Sequence, residues 1–133
     1  MLLSLVLGAA LAAVAALAGM ARQAEAASTE KVVFVSNRTM GKGVDNPTGD
    51  NEIFRMNPEG TSVRQLTFND VDEDESILSL DGQKIAYVSE GVQTSNPEGD
   101  SEVYVMNAVD GSGKKNLSNN GDGGDDFLPD WRG

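Results

Sequence analysis

The chain has 133 residues, room for one domain, and its 10 Lys and Arg against 21 Asp and Glu give a net charge of −11. This acidity argues against nucleic acid and anionic lipid as partners, because both are bound through Lys and Arg patches, and it favours cationic partners or metal ions. The sequence lacks His and Cys, which excludes Ser-His-Asp and Cys-His catalysis and disulfides within the chain and disfavours a catalytic zinc site.

The first predicted element is a long apolar stretch, LLSLVLGAALAAVAALAGMA, at residues 2–21. Arg22 and the small-x-small motif AEA at 24–26 follow it, as in a secretory signal peptide with its cleavage site. We predict a signal peptide over residues 1–26 and a periplasmic, cell-envelope or secreted location for residues 27–133. The alternative is an uncleaved anchor that keeps the protein at the membrane, because about 20 apolar residues can span a bilayer.

The rest of the chain contains an internal repeat of about 50 residues, which we divide into unit one at 31–78 and unit two at 79–133. The matched segments are KVVFVSN from Lys31 with KIAYVSE from Lys84, DNEIFRMN (50–57) with DSEVYVMN (100–107), and GTSVRQLT (60–67) with GSGKKNLS (111–118). The spacing between the copies changes only inside polar stretches rich in Gly, Asn, Asp and Pro, where loops tolerate insertions. This pattern indicates a true duplication rather than chance similarity.

Each unit is predicted to contain four short strands separated by turns. KVVFVS and KIAYVS are short and rich in β-branched and aromatic residues, as in buried strands. Asn, Pro, Asp and Gly between the strands supply turn geometry, and no segment after residue 30 has a helical period. We predict an all-β fold of β-propeller blade repeats, with two blade equivalents of four antiparallel strands each, after an N-terminal signal helix.

The repeat resembles the blade of TolB-like β-propeller proteins, a family of exported bacterial proteins. The resemblance rests on SLDGQKIAYVS (79–89), SEVYVMN (101–107), Asp110-Gly111 and Leu117-Ser118 in unit two, and on KVVFVSNR, NEIFRMN, Gly60 and RQLT in unit one. Leu80 and Leu78 stand where the family has Pro and Trp, whereas Trp131, after Pro129, keeps the aromatic. The resemblance implies a binding function, because TolB-like proteins dock envelope lipoproteins and peptides, but it implies no particular site residue.

A closed propeller has about four to eight blades, and the two units of this chain supply only two. One alternative is a homo-oligomer, in which two chains give four blades or three chains give six. The others are a shortened relic or fragment of a longer propeller, and an isolated pair of units. The order of the strands fits a closed ring. The repeat begins at Lys31 with the second strand of a blade and ends near FLPDW with a first strand, so the last strand can complete the blade that the first one begins.

Two acidic clusters, DVDEDE at 70–75 and DGGDD at 122–126, occupy equivalent predicted loops. Carboxylates in such loops could bind calcium, although Glu75 stands where an EF-hand loop requires Gly. The alternative is a set of solvated, mutually repelling turn residues. No cofactor other than calcium is predicted. The candidate ligands are Asp70, Asp72, Asp74, Asp122, Asp125 and Asp126.

The remaining candidate residues are better explained by the blade than by chemistry. Glu52 and Glu102 are repeated carboxylates, so turn formation is favoured over glycoside hydrolysis, and Tyr87 and Tyr104 are expected in the core. We expect an exported, non-enzymatic repeat protein that binds a protein or peptide of the cell envelope. The alternative is a calcium-binding or purely structural repeat.

Overall fold

The structure, a computed structural model, describes residues 30–121 and 123–132. The predicted leader at 1–26 and the candidate ligand Asp122 lie outside these residues. Two antiparallel sheets account for the described strands, which confirms the all-β prediction. The first sheet contains β1 (Val32–Ser36), β2 (Glu52–Met56) and β3 (Arg64–Gln65), and the second contains β4 (Asp72–Leu78), β5 (Lys84–Glu90), β6 (Ser101–Asn107) and β7 (Lys115–Asn116). None of the described residues forms a helix of the length and apolarity needed to cross a membrane.

The strands of the first sheet repeat those of the second. Phe34 lies opposite Phe54 across β1 and β2, and Tyr87 lies opposite Tyr104 across β5 and β6. Both aromatic pairs are stacked with ring centroids 5.6 Å apart. The sequence repeat therefore corresponds to a structural repeat, in which equivalent residues of the two copies pair in the same register.

The first sheet has three strands rather than the predicted four, because among the described residues only β2 pairs with β1. The strand equivalent to β4 would occupy the free side of β1. Sheets and sequence units are consequently offset by one strand, since β4 closes unit one in sequence but pairs with β5 of unit two.

One hydrophobic core joins the two sheets. Ile53 of β2 and Leu66, directly after β3, pack in one cluster with Ile85, Tyr87 and Met106 of the second sheet. All five side chains are almost fully buried. Because residues of both sheets form the cluster, burial of apolar surface stabilises the sheets together rather than separately.

The predicted turns before β2 and β6 adopt one geometry. Asn46 donates from Nδ2 to the carbonyl oxygen of Asp50 at 2.7 Å, and its Oδ1 accepts the Gly49 N–H at 3.0 Å. Asn96 makes the same two bonds with Asp100 and Gly99, at 2.6 and 3.1 Å. Both Asn side chains are buried, so the repeated Asn-Pro-x-Gly-Asp turns are part of the interior framework.

Residues 125–126 bond to Ser101 at the start of β6. The start of β4 bonds in the same way to Asn51, the residue before β2. Three hydrogen bonds recur in the two places, although 125–132 form no strand in the structure. The bonds are Asn51 N to Asp72 Oδ1 (2.7 Å), Glu73 N to Asn51 O (2.8 Å) and Asn69 Nδ2 to Glu73 Oε1 (2.7 Å), matched by Ser101 N to Asp125 Oδ1 (3.0 Å), Asp126 N to Ser101 O (2.7 Å) and Asn120 Nδ2 to Asp126 Oδ2 (3.0 Å). The segment 125–131 therefore takes the position that a further copy of β4 would take.

Candidate functional site

An acidic cleft of about 280 Å³ opens at one end of the second sheet. Strand β4 supplies its acidic side chains together with the end of β5, and the 125–132 segment closes one side. We call this the acidic cleft. It is lined by Asp72, Asp74, Glu75, Val88, Glu90, Ser101 and Phe127.

Strand alternation sorts the acidic residues of β4 between solvent and interior. Asp72 and Asp74 are exposed, and Glu73 between them is buried, because successive side chains of a strand point to opposite faces. Asp72 lies directly opposite Glu90 across β4 and β5. Like charges directly opposite each other are destabilising, so the cleft is a place where a cation relieves repulsion.

A β-bulge shapes the other wall of the cleft. The register between β4 and β5 shifts between Asp74 and Ile77, and Glu75 within the shift has a positive φ of 51°. Bulges of this kind re-aim a side chain, and Glu75 Oε2 accepts the Leu128 N–H at 2.6 Å. This bond holds Phe127, which is 55% exposed, at the rim of the acidic cleft.

The expectation that 70–75 forms a loop is wrong from Asp72 onward. Asp72 and Glu73 pair with Glu90 and Ser89 as part of β4. The physical reason is that the Asp72 side chain and the Glu73 N–H both bond to the backbone of Asn51. These bonds stabilise an extended conformation that charge repulsion alone would not favour.

The structure separates the five candidate calcium ligands that lie within the described residues. Asp72 and Asp74 share the acidic cleft, with Asp74 Oδ1 accepting the Asn51 Nδ2–H at 3.3 Å. Asp70 is exposed and outside the cleft lining, and Asp125 and Asp126 bond near the start of β6. Within residues 30–121 and 123–132, no three Asp, Glu, His or Cys side chains are grouped to hold a metal ion. Calcium binding at these residues stays a prediction.

A pair of buried carboxylates lies beneath the cleft, at Glu52 and Glu73, which are 0% and 1% exposed. Glu52 Oε1 accepts the Asn69 N–H at 3.0 Å, and Glu73 Oε1 accepts from Asn69 Nδ2 at 2.7 Å and Ser89 Oγ at 3.0 Å. The second oxygen of each carboxylate, Oε2, has no partner among the described residues. A proton on Glu73 satisfies both, because the acid then donates a hydrogen bond to Glu52.

Burial, together with the neighbouring Glu52, raises the pKa of Glu73 to about 8 against the opposing hydrogen bonds from Asn69 and Thr67. The same surroundings raise the pKa of the Tyr87 hydroxyl, first through burial and then through Glu73. A raised carboxyl pKa suits a proton donor, but both carboxylates are closed off from solvent. The pair therefore acts on stability and its pH dependence rather than on a bound substrate.

Sequence reasoning missed this pairing. It assigned Glu52 to a repeated turn and Glu73 to an acidic loop, because their proximity depends on the docking of β4 against Asn51. The available signal was alternation in DVDEDE, which places Glu73 on the face opposite Asp72 and Asp74 once the segment is a strand.

No protein-family model matches the chain, and no curated protein matches it.

Proposed function

We propose that the protein is an exported, non-enzymatic, TolB-like β-propeller repeat protein, whose acidic cleft binds a cationic segment of a protein or peptide in the cell envelope. The observation that carries the proposal is the placement of Asp72 directly opposite Glu90, with Asp74 and Glu75 in the same cleft. Four carboxylates concentrated in this cleft favour a positively charged occupant. The leader and the blade motifs of the sequence support the extracytoplasmic setting.

A Lys or Arg side chain fits both the charge and the shape of the acidic cleft. Charge-assisted hydrogen bonds to Asp74 and Glu90 would replace the repulsion between Asp72 and Glu90. Phe127 at the rim offers an apolar and aromatic surface to the guanidinium or the aliphatic stem. The net charge of −11 would speed the encounter with a basic partner.

The test is binding of a fluorescent Arg-containing peptide, followed by anisotropy at low and physiological salt. Glu90→Gln removes one cleft charge from a residue exposed at the end of β5, and we expect about tenfold weaker binding. Glu98→Gln is the matched control, because it removes an equal charge from an exposed residue outside the cleft lining. Equal effects of the two substitutions, or no binding by the original protein, would refute the proposal.

Calcium binding is the second candidate, because Ca²⁺ takes oxygen ligands and the predicted ligands Asp72 and Asp74 share the acidic cleft, although the described side chains form no group of three that could hold a metal ion. A calcium titration of melting temperature separates the two functions. A saturable increase that Glu90→Gln abolishes, with no peptide binding, supports calcium. If neither peptide nor calcium binds, the purely structural repeat is the remaining function.

A further inference from the structure

A second cleft, of about 430 Å³, lies between the two sheets at the opposite end of β5 from the acidic cleft. Lys31, directly before β1, lines it together with Arg55 of β2 and Lys84 of β5, and none of its described lining residues is acidic. We call it the basic cleft. Such a concentration of cations is unexpected in a chain of net charge −11.

The two lysines of the basic cleft are held in place. Lys31 Nζ donates to Asn57 Oδ1 at 2.9 Å, and Lys84 Nζ donates to Asn107 Oδ1 at 2.5 Å. An ammonium group has three N–H donors, so each lysine keeps donors for a ligand. Fixed cations with spare donors reduce the ordering cost of binding.

Arg55 distinguishes this cleft from the rest of the repeat. The equivalent residue of unit two is Val105, so the blade itself does not require a cation at this position. Arg55 lies directly opposite Arg64 across β2 and β3, and like charges directly opposite each other are destabilising. Burial and then Arg64 lower the pKa of Arg55, and the nearby Asp110 opposes them.

The guanidinium of Arg55 also has an unsatisfied donor. Its Nε is buried and bonds to none of the described residues, and no described carboxylate lies within ion-pair distance of it. A buried donor without a partner is destabilising, so the repulsion from Arg64 and the unsatisfied Nε are two separate penalties at one residue. An acceptor with negative charge relieves both.

We propose that the basic cleft is a binding site for an oxyanion, a phosphate or carboxylate group held by Arg55, Lys31 and Lys84. Such a group presents at least two acceptor oxygens, which suits the planar fork of Arg55 together with one or both ammonium groups. The site is independent of the acidic cleft, because it shares no residue with it.

The test measures melting temperature at constant ionic strength, with chloride replaced by inorganic phosphate in one arm and by an acetylated Glu-Glu dipeptide in the other. We expect a saturable increase. The probe that gives the larger increase in melting temperature shows whether the site prefers phosphate or the carboxylates of an acidic peptide. No saturable increase with either probe overturns the proposal.

Arg55→Val copies the residue of the other unit, and we expect it to weaken anion binding about tenfold or more. Without the anion the same variant should melt higher than the original protein, because the repulsion and the unsatisfied donor are gone. The charge control is Lys42→Gln, an exposed residue outside the basic cleft, with binding within about twofold of the original. Unchanged binding by Arg55→Val overturns the proposal, and if that variant fails to fold, Lys31→Gln must weaken binding for the proposal to stand.

Discussion

At the scale of single residues, the Glu52 and Glu73 pair makes stability depend on pH in a defined direction. The pKa of Glu73 is about 8 in the folded protein against 4.5 for an ordinary glutamate. A group with a raised folded pKa contributes its stability below the unfolded pKa and loses it as pH rises through the folded value. Since the chain has no His, few other side chains titrate in that window.

We therefore expect the free energy of unfolding to fall between about pH 5 and 8, by at most about 1.4 kcal/mol per pH unit. Glu73→Gln keeps a neutral donor beside Glu52 and should remove most of this slope. At pH 8 the variant should be more stable than the original by on the order of 3 kcal/mol. Urea unfolding at several pH values measures both effects.

Glu59→Gln is the control for this prediction, because Glu59 is exposed in the turn after β2. It should leave the slope unchanged. A slope of the same size in Glu73→Gln as in the original protein would mean that Glu73 does not hold its proton in the folded state.

At the scale of elements, the glycine-containing turns that follow β2 and β6 differ in how closely they are packed. Gly60 and Gly111 occupy equivalent positions and have similar positive φ values of 78° and 73°. A Cβ on Gly60 would meet nothing within 4 Å, whereas one on Gly111 would overlap the carbonyl oxygen of Leu66. The turn after β6 therefore packs directly on the backbone of the first sheet.

Gly111→Ala should lower the free energy of unfolding by about 3 kcal/mol, because a left-handed Ala costs about 1–2 kcal/mol and the overlap adds an overpacking cost. Gly60→Ala should lower the free energy of unfolding only by the cost of a left-handed Ala, about 1 kcal/mol. Urea denaturation of the two variants side by side measures the difference. Equal losses would show that the close approach to Leu66 relaxes freely.

Features that depend on neighbouring residues could be predicted from the sequence, whereas features that depend on contacts with remote segments could not. The strands around Phe54 and Tyr87 and the Asn46 and Asn96 turns were predictable, because alternation, turn residues and duplication are local properties. The strand start at Asp72 was not, since its extended conformation depends on bonds to Asn51 from a remote segment. The acidic cleft was predicted in part. The acidic sequence identified Asp72 and Asp74, but it did not show that Asp72 lies opposite Glu90 across β4 and β5.

At the scale of the whole molecule, the described residues form one sheet without its first strand and a segment in the position of a spare first strand. Among the described residues β1 has a partner on one side only. Segment 125–131 aligns with β4 in sequence and makes the docking bonds of β4. A free strand edge is an aggregation hazard unless it is covered, and a second copy of the chain can supply the cover.

The register of β4 on β5 specifies how such an assembly would pair. Ile77 lies opposite Ala86, and the equivalent residues are Asp130 in the segment and Val33 in β1. We expect Asp130 of one chain to lie opposite Val33 of the next, with two chains completing four blades or three completing six. Sedimentation of the purified protein should then give a discrete dimer or trimer.

Because the chain has no Cys, paired substitutions give a clean measure of this contact. We expect Val33→Cys protein mixed with Asp130→Cys protein to form a disulfide-linked heterodimer under mild oxidation, since directly opposite strand residues lie about 4.5–5.5 Å apart. Asp81→Cys, at an exposed turn, replaces Asp130→Cys in the control mixture and should not cross-link to Val33→Cys. Only monomer in sedimentation, together with no cross-link above this control, would mean that β1 is not completed by segment 125–131 of another chain.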